Sequence, residues 1–319
     1  MSADTQWALP PIAFAAVFLL LTPVSFALHR LARGWLASVE PRSRAALLLA
    51  LALLPLTVAA LVAVLGFVPS LGGWIVDAHC HIDTGCRPHV PILHNGARYA
   101  LLFGVVLLAV AVALASNAVG KLRRTQRLAR ALGSLAEPVP RDRFEVLASD
   151  EAFAYCVGFW RPQVVVSSGL THRLAADELR AVLAHEQEHA ARHDNLRHGI
   201  AAVCSLPLWP RGRRALLADL TQASEQVCDR AAAEHTSSAS VLAALAALEP
   251  ARPARAARGA TFDGPDTLAS RKRALESADG HTLTAGVVPA VVAFAYAVCT
   301  LIAADLAHHG IEHALEWFG

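Results

Sequence analysis

Apolar runs and polar stretches follow one another in long blocks along this chain. Residues 7–28, 45–68 and 99–119 contain no charged side chain, and a fourth such run covers 285–304. Each is long enough, as a helix rising ~1.5 Å per residue, to cross about 30 Å of hydrocarbon. Buried helices of a soluble core rarely reach such a length without a charge, so the pattern predicts about four transmembrane helices. Between the third and fourth runs the periodicity changes. Leu179, Val182, Leu183 and Ala190 recur at helical spacing behind Asp177 and Glu178, with no Pro or Gly from Ala175 to Leu196, which predicts an amphipathic helix. Residues 143–147 and 163–167 read as strands, 154–159 as a possible third, with Arg161-Pro162 at a turn. A further helix is expected over about 214–234.

Composition supports a membrane protein. The 319 residues are 55% hydrophobic and 17% charged, and the mean hydropathy is +0.42, too apolar for an ordinary soluble enzyme. The first run does not read as a cleaved signal, because it is preceded by Asp4 and by no Lys or Arg. Arg30, Arg33, Arg42 and Arg44 follow the first run, and Lys121, Arg123, Arg124, Arg127 and Arg130 follow the third. The positive-inside rule puts both clusters in the cytoplasm of a bacterial-type inner membrane, with the N-terminus, the 69–97 loop and the tail from His308 outside. Arg271-Lys272-Arg273 reads as another inside anchor, and 250–266 as a mobile linker. The net charge of +2 adds little, and no basic stripe suits nucleic acid.

The cysteines divide by compartment. Cys156, Cys204 and Cys228 fall on the reducing side and are expected to be free, and Cys299 is expected to pack within a span. Cys80 and Cys86 lie outside, among His79, His81, His89 and His94. That loop could hold copper(I) or zinc, close a disulfide ring, or do neither, and it is the best candidate for a sensor.

The chemistry centres on His185-Glu186-Gln187-Glu188-His189. On a helix the two histidines stand one turn apart on one side and can share a cation, while Glu186 lies beside it as a general base. Asp194, five residues on, could orient a ligand imidazole, cap neighbouring structure, or be a surface charge. His193 and His198 read as surface or supporting groups. Leu208 and Trp209 beside Arg211, Arg213 and Arg214 suggest a loop on the inner membrane surface, or an ordinary break between helices. Glu225 and Asp229 lie one turn apart on the next helix. Catalytic zinc needs three protein ligands; Glu225 could be the third and Asp229 could orient an imidazole, although such a pair alone is commonly a solvated face. The 164–168 strand is a candidate for gripping substrate at a free edge, the alternative being a core strand.

Several of these elements occur in one order. Gly158-Phe159-Trp160-Arg161-Pro162, a strand to Leu170, Asp177-Glu178-Leu179, the His185-to-His189 motif with Asp194, and Glu225-x-x-Cys228-Asp229 resemble the BlaR/MecR-type membrane metallopeptidases over roughly residues 138–234. They are similar, more distantly, to the HtpX and CAAX-protease zinc enzymes. The resemblance implies that His185, His189 and Glu225 bind Zn2+, that Glu186 is the catalytic base and acid, and that Asp229 supports the site. It also implies an α-helical membrane protein with an inserted α+β zincin-like metalloprotease domain. The expected organisation is 1–120 for three spans and the external loop, 121–284 for the cytoplasmic protease domain, and 285–319 for the fourth span and a short external tail. The chain departs from that family in that no penicillin-binding sensor domain follows the fourth run.

The expected activity is zinc-dependent endopeptidase cleavage of a cytoplasmic protein, a transcriptional repressor by resemblance. The alternatives are HtpX-like membrane-protein quality control and a non-catalytic metal-sensing receptor. The bilayer is the second expected partner, and a homo-oligomer is compatible with the sequence. For the donor to the oxyanion, Arg230 and His235 are the candidates.

Overall fold

The computed structural model describes residues 9–65, 144–205, 210–248, 265–276 and 287–318, the pairs 80–81, 85–86 and 137–138, and isolated positions between 105 and 134. Helices α1 (Leu9–Ser38) and α2 (Pro41–Leu65) form a hairpin. Glu40 turns it, accepting the backbone N–H groups of Arg42 at 3.0 Å and Ser43 at 3.1 Å, amides that the first turn of α2 leaves without partners. Three helical stretches among the described residues are long and apolar enough to cross a bilayer: Pro10–Ser38, Pro41–Leu65 and Val287–Gly310. Of the expected third span only Val105, Ser116 and Val119 are described, each helical, so that span lies for the most part outside the described residues. The 250–266 linker lies outside them too, apart from the start of a later helix at Pro265.

Two short strands, β1 (Cys80–His81) and β2 (Gly85–Cys86), pair antiparallel with Cys80 opposite Cys86. His79, His89 and His94 lie outside the described residues. A second sheet contains β3 (Glu137–Pro138), β4 (Glu145–Leu147), β5 (Ala154–Val157) and β6 (Gln163–Ser167) in the order β3-β4-β6-β5. Strand β6 runs parallel to β4 and antiparallel to β5. It is therefore a central strand, and Val164, Val165, Val166 and Ser167 are all buried. The reading of 164–168 as a free substrate-gripping edge is corrected in favour of its alternative, a core strand: among the described residues the sheet's edges are β3 and β5. An unbroken β-branched run is what a strand covered on both faces requires.

Ser167 ends β6 and caps α3 (Ser168–Arg173), its hydroxyl accepting the Leu170 N–H. Helix α4 (Ala176–Arg192) follows, started by Glu178, whose carboxylate accepts the Ala175 N–H at 3.0 Å. Leu170, Leu174 and Val182 pack with Val164, Val166 and Ala244 to form the core beneath the sheet. His193, at φ 55° and ψ 42°, is the one non-glycine residue with positive φ among the described residues; it ends α4 and starts α5 (Asp194–Cys204). Next come α6 (Pro210–His235), α7 (Ser238–Leu248), α8 (Pro265–Glu276) and α9 (Val287–Phe318). Helix α9 continues well past residue 304, so the expected external tail is an extension of the helix rather than a separate segment.

Helix α6 joins the polar part of the chain to the membrane hairpin. Leu216, Leu217, Leu220 and Ala223 bury themselves with Ala201 against Leu36, Ala45, Leu48 and Ala52. Packing is close enough that a Cβ on Gly212 would meet the Phe26 ring at 2.9 Å. Above that contact, Arg33 grips Asp219 with two bonds of 2.8 and 2.9 Å, and His29 meets the same carboxylate at 2.9 Å. Arg44 bonds Gln226. Two of the arginines that orient the hairpin by sequence are thus engaged with α6.

Candidate metal centre

Two helices bring the site together. On α4, His185 and His189 project from one side, and their Nε2 atoms are 3.2 Å apart. On α6, Glu225 faces them, with Oε2 3.6 Å from His185 Nε2 and Oε1 3.4 Å from His189 Nε2. Small residues permit the approach: Ala181, Ala232 and Val241 form the contact between α4, α6 and α7.

The outer nitrogens of the imidazoles are spoken for. His185 Nδ1 lies 3.0 Å from Asp229 Oδ1, and His189 Nδ1 lies 2.9 Å from Asp194 Oδ2. A carboxylate can only accept here, so each Nδ1 carries a proton, and each Nε2 presents a lone pair whenever its imidazole is neutral. Two lone pairs and a carboxylate oxygen then point into one small volume, an arrangement that calls for a cation. Zinc bonds of about 2.0–2.1 Å in tetrahedral geometry set neighbouring ligand atoms roughly 3.3–3.4 Å apart. The three observed separations bracket that value, so the residues fit zinc.

The left-handed His193 makes the Asp194 contact. By turning the chain between α4 and α5 it brings Asp194 back beneath His189, where Arg192 Nε also reaches both of its oxygens at 3.3 Å. Burial pushes the Asp194 carboxyl up, but His189 and Arg192 outweigh it and hold it below the ordinary range. Asp194 is thus buried against His189 and is not a surface charge. Burial likewise raises Glu225 and Asp229, and Arg271 with the imidazoles outweighs it in both, for Glu225 by a wide margin.

A second group, His189, Asp194 and Cys228, also lies within metal-ligand range. Those atoms already bond one another: the Cys228 thiol donates to Asp194 Oδ2 at 3.8 Å, and burial pushes that thiol up to about 12.

Glu186 points toward the sheet. Its Oε2 accepts the Cys156 backbone N–H at 2.8 Å. The Cys156 carbonyl accepts from Asn195 Nδ2 at 2.9 Å, and the Gly158 carbonyl from the same amide at 3.2 Å. The general-base candidate, next to His185 in the chain, is therefore fastened to the edge strand.

Sequence reasoning found His185, Glu186, His189, Glu225, Asp229 and Asp194; the structure joins five of them and turns Glu186 to Cys156 on β5. It missed Asn195, Arg192 and Arg271. Arg271 is not a membrane anchor: it is 7% exposed and bonds Glu225 and Asp229. Of the oxyanion candidates, Arg230 leans 4.0 Å from Glu40 instead, and His235 is the last residue of α6. His198 is turned to Ser224, 3.2 Å away. Cys156, Cys204, Cys228 and Cys299 are free thiols, and Cys299 packs against the span cluster of Val17, Leu54 and Val58.

Residues 102–253 match the family model described as peptidase family M48. No curated protein and no solved structure matches the chain. The match covers both helices of the site, which makes that segment similar to metallopeptidases, and three helices among the described residues are long and apolar enough to cross a membrane.

Proposed function

We propose, with a metallopeptidase domain over residues 102–253 as the premise, that this protein is an integral-membrane zinc metalloendopeptidase. The observation that carries the reading is the convergence of His185 Nε2, His189 Nε2 and the Glu225 carboxylate at 3.2–3.6 Å. Zinc bound there supplies Lewis acidity to a scissile carbonyl and to an attacking water. The rest is done by the chain. Asp229 and Asp194 keep the protons on the two Nδ1 atoms, so both Nε2 atoms stay available. Glu186 takes the proton from the attacking water and passes it to the leaving nitrogen. Strand β5 turns the N–H and C=O of Cys156 away from β6, where Glu186 and Asn195 already hold them, so this edge serves to fix Glu186 and Asn195 beside the site.

The distribution of arginines supports a bacterial inner-membrane location with the site on the cytoplasmic side. For substrate, the BlaR/MecR resemblance supports a cytoplasmic repressor. A second reading, HtpX-like turnover of membrane proteins, is equally consistent with the family match and is supported by the packing of α6, the helix of Glu225, on the apolar hairpin of α1 and α2. The test is reconstitution in liposomes with zinc, offering a soluble repressor-type protein and a membrane protein with an unfolded cytoplasmic segment to wild type and Glu186→Gln. Cleavage by wild type alone identifies the substrate class. Cleavage of neither contradicts the endopeptidase reading and leaves a metal-binding receptor.

A further inference from the structure

We propose that Arg271 is a positioning residue of the metal centre, one that lies outside the segment matched by the peptidase family. The inference rests on the metallopeptidase reading above. Arg271 sits on α8, and its guanidinium spans two carboxylates of α6. Its NH1 is 2.8 Å from Glu225 Oε2. Its Nε and NH2 bond Asp229 Oδ2 and Oδ1 at 2.7 and 2.6 Å. Asp229 Oδ1 is also the oxygen that meets His185 Nδ1. One side chain thereby fixes a metal ligand directly and a second through the carboxylate that orients it.

The charge balance explains why a cation is needed there. Glu225 and Asp229 are one turn apart on the same face of α6, and Asp229 is 1% exposed. Two such carboxylates repel, and a guanidinium set between them offsets that repulsion. Arginine suits the place because its planar fork binds one carboxylate in bidentate fashion while keeping a nitrogen for the other. Binding Glu225 through Oε2 leaves Oε1, 3.4 Å from His189 Nε2, as the less encumbered ligand atom.

The neighbouring contacts hold Arg271 in position. Ser270 Oγ accepts from Gln226 Nε2 at 2.9 Å and also bonds Gln222, and the Ser270 carbonyl accepts from Gln226 at 3.3 Å. Gln226, next to Glu225, accepts in turn from Arg44 of the membrane hairpin. Helix α8 is therefore seated on the ligand helix by a buried polar chain that begins at α2, and Arg271 is the member of it that reaches the site.

The experiment uses the full chain in detergent with zinc restored. Zinc affinity is measured by chelator competition, and the ligand field by the visible spectrum of the cobalt-substituted protein, for wild type, Arg271→Ala and Arg271→Lys. The expected result is a loss of roughly 10–100-fold in zinc affinity for Arg271→Ala, as for other groups that orient metal ligands, with an altered cobalt spectrum. Arg271→Lys, which can hold one carboxylate but not two in bidentate fashion, falls between. Zinc affinity and cobalt spectrum of Arg271→Ala equal to wild type overturn the inference while leaving the metallopeptidase reading intact. If Arg271→Ala does not fold, Arg271→Lys decides alone: wild-type affinity overturns the proposal, and an intermediate loss supports it. Wild type that takes up no zinc overturns both.

Discussion

Glu186 Oε2 accepts the backbone N–H of Cys156 at 2.8 Å, which fastens the helix of the histidines to the outer edge of β5. The carboxylate has a second free oxygen, so this bond orients the group without using it up. Glu186→Gln retains an acceptor for Cys156 and loses only the proton-transfer capacity. Its expected effect is a fall of about 10²–10⁴-fold in kcat with zinc content unchanged. Parallel measurement of peptide cleavage and bound zinc checks it; a variant that loses zinc along with activity would show Glu186 to be structural.

Asp194 is buried under His189, where it also accepts from Arg192. Asp194→Ala removes the orienting partner of a metal ligand and strands a buried guanidinium. Zinc affinity is expected to fall roughly 10–100-fold. Stability is expected to fall by about 3–5 kcal/mol, the usual result of breaking a buried charge pair from one side. Chelator competition and chemical denaturation report the two effects separately.

The same network gives a signed pH dependence. Burial lowers His185 and His189, but their carboxylate partners outweigh it and raise both imidazoles above the ordinary value. Their contribution to the stability of zinc-free protein is present below about pH 6.5 and is lost as pH rises through the raised values. Glu225, Asp229 and Asp194 are depressed, so theirs is present above about pH 4 and is lost as pH falls through the lowered values. Zinc needs both Nε2 atoms free of protons. The gain in Tm on adding zinc to chelator-treated protein is therefore expected to widen from pH 6 to pH 8, and a gain that shrinks over that range would contradict the assignment of both imidazoles as ligands.

Cys80 and Cys86 face each other across the β1–β2 pair. Opposed antiparallel residues have Cα atoms about 4.5–5.5 Å apart, within the roughly 4.4–6.8 Å span that a disulfide bridges. Protein purified without reductant is expected to show two fewer maleimide-reactive thiols than the same protein after reduction, and Cys80→Ser with Cys86→Ser is expected to abolish the difference. Equal labelling before and after reduction would leave the pair to metal or to no role.

Much of this architecture could be read from residue order. The helical spacing of Leu179, Val182 and Leu183 behind Asp177 and Glu178 marks α4, and the His185-to-His189 spacing marks its chemistry. What escaped was long-range or conformational. Arg33, Arg44 and Arg271 are read by a topology rule that counts charge near a membrane and does not see partners 180 or more residues away, or a carboxylate pair on another helix. For β6, an apolar run says that a strand is buried and nothing about which neighbours flank it, so edge and core stay open until the sheet order is seen. His193 adopts a left-handed turn without being Gly or Asn, so nothing local announced that Asp194 and Asn195 would swing back to the site.

The central claim is a zinc ion held between α4 and α6. Metal content of purified wild type and Glu225→Ala, with X-ray absorption at the zinc edge, addresses it most directly. The account predicts one zinc per chain with two imidazole nitrogens and one carboxylate oxygen from the protein at about 2.0–2.2 Å, and loss of that oxygen with most of the metal in the variant. Wild type without zinc, or Glu225→Ala that keeps a full complement with an unchanged spectrum, would contradict it.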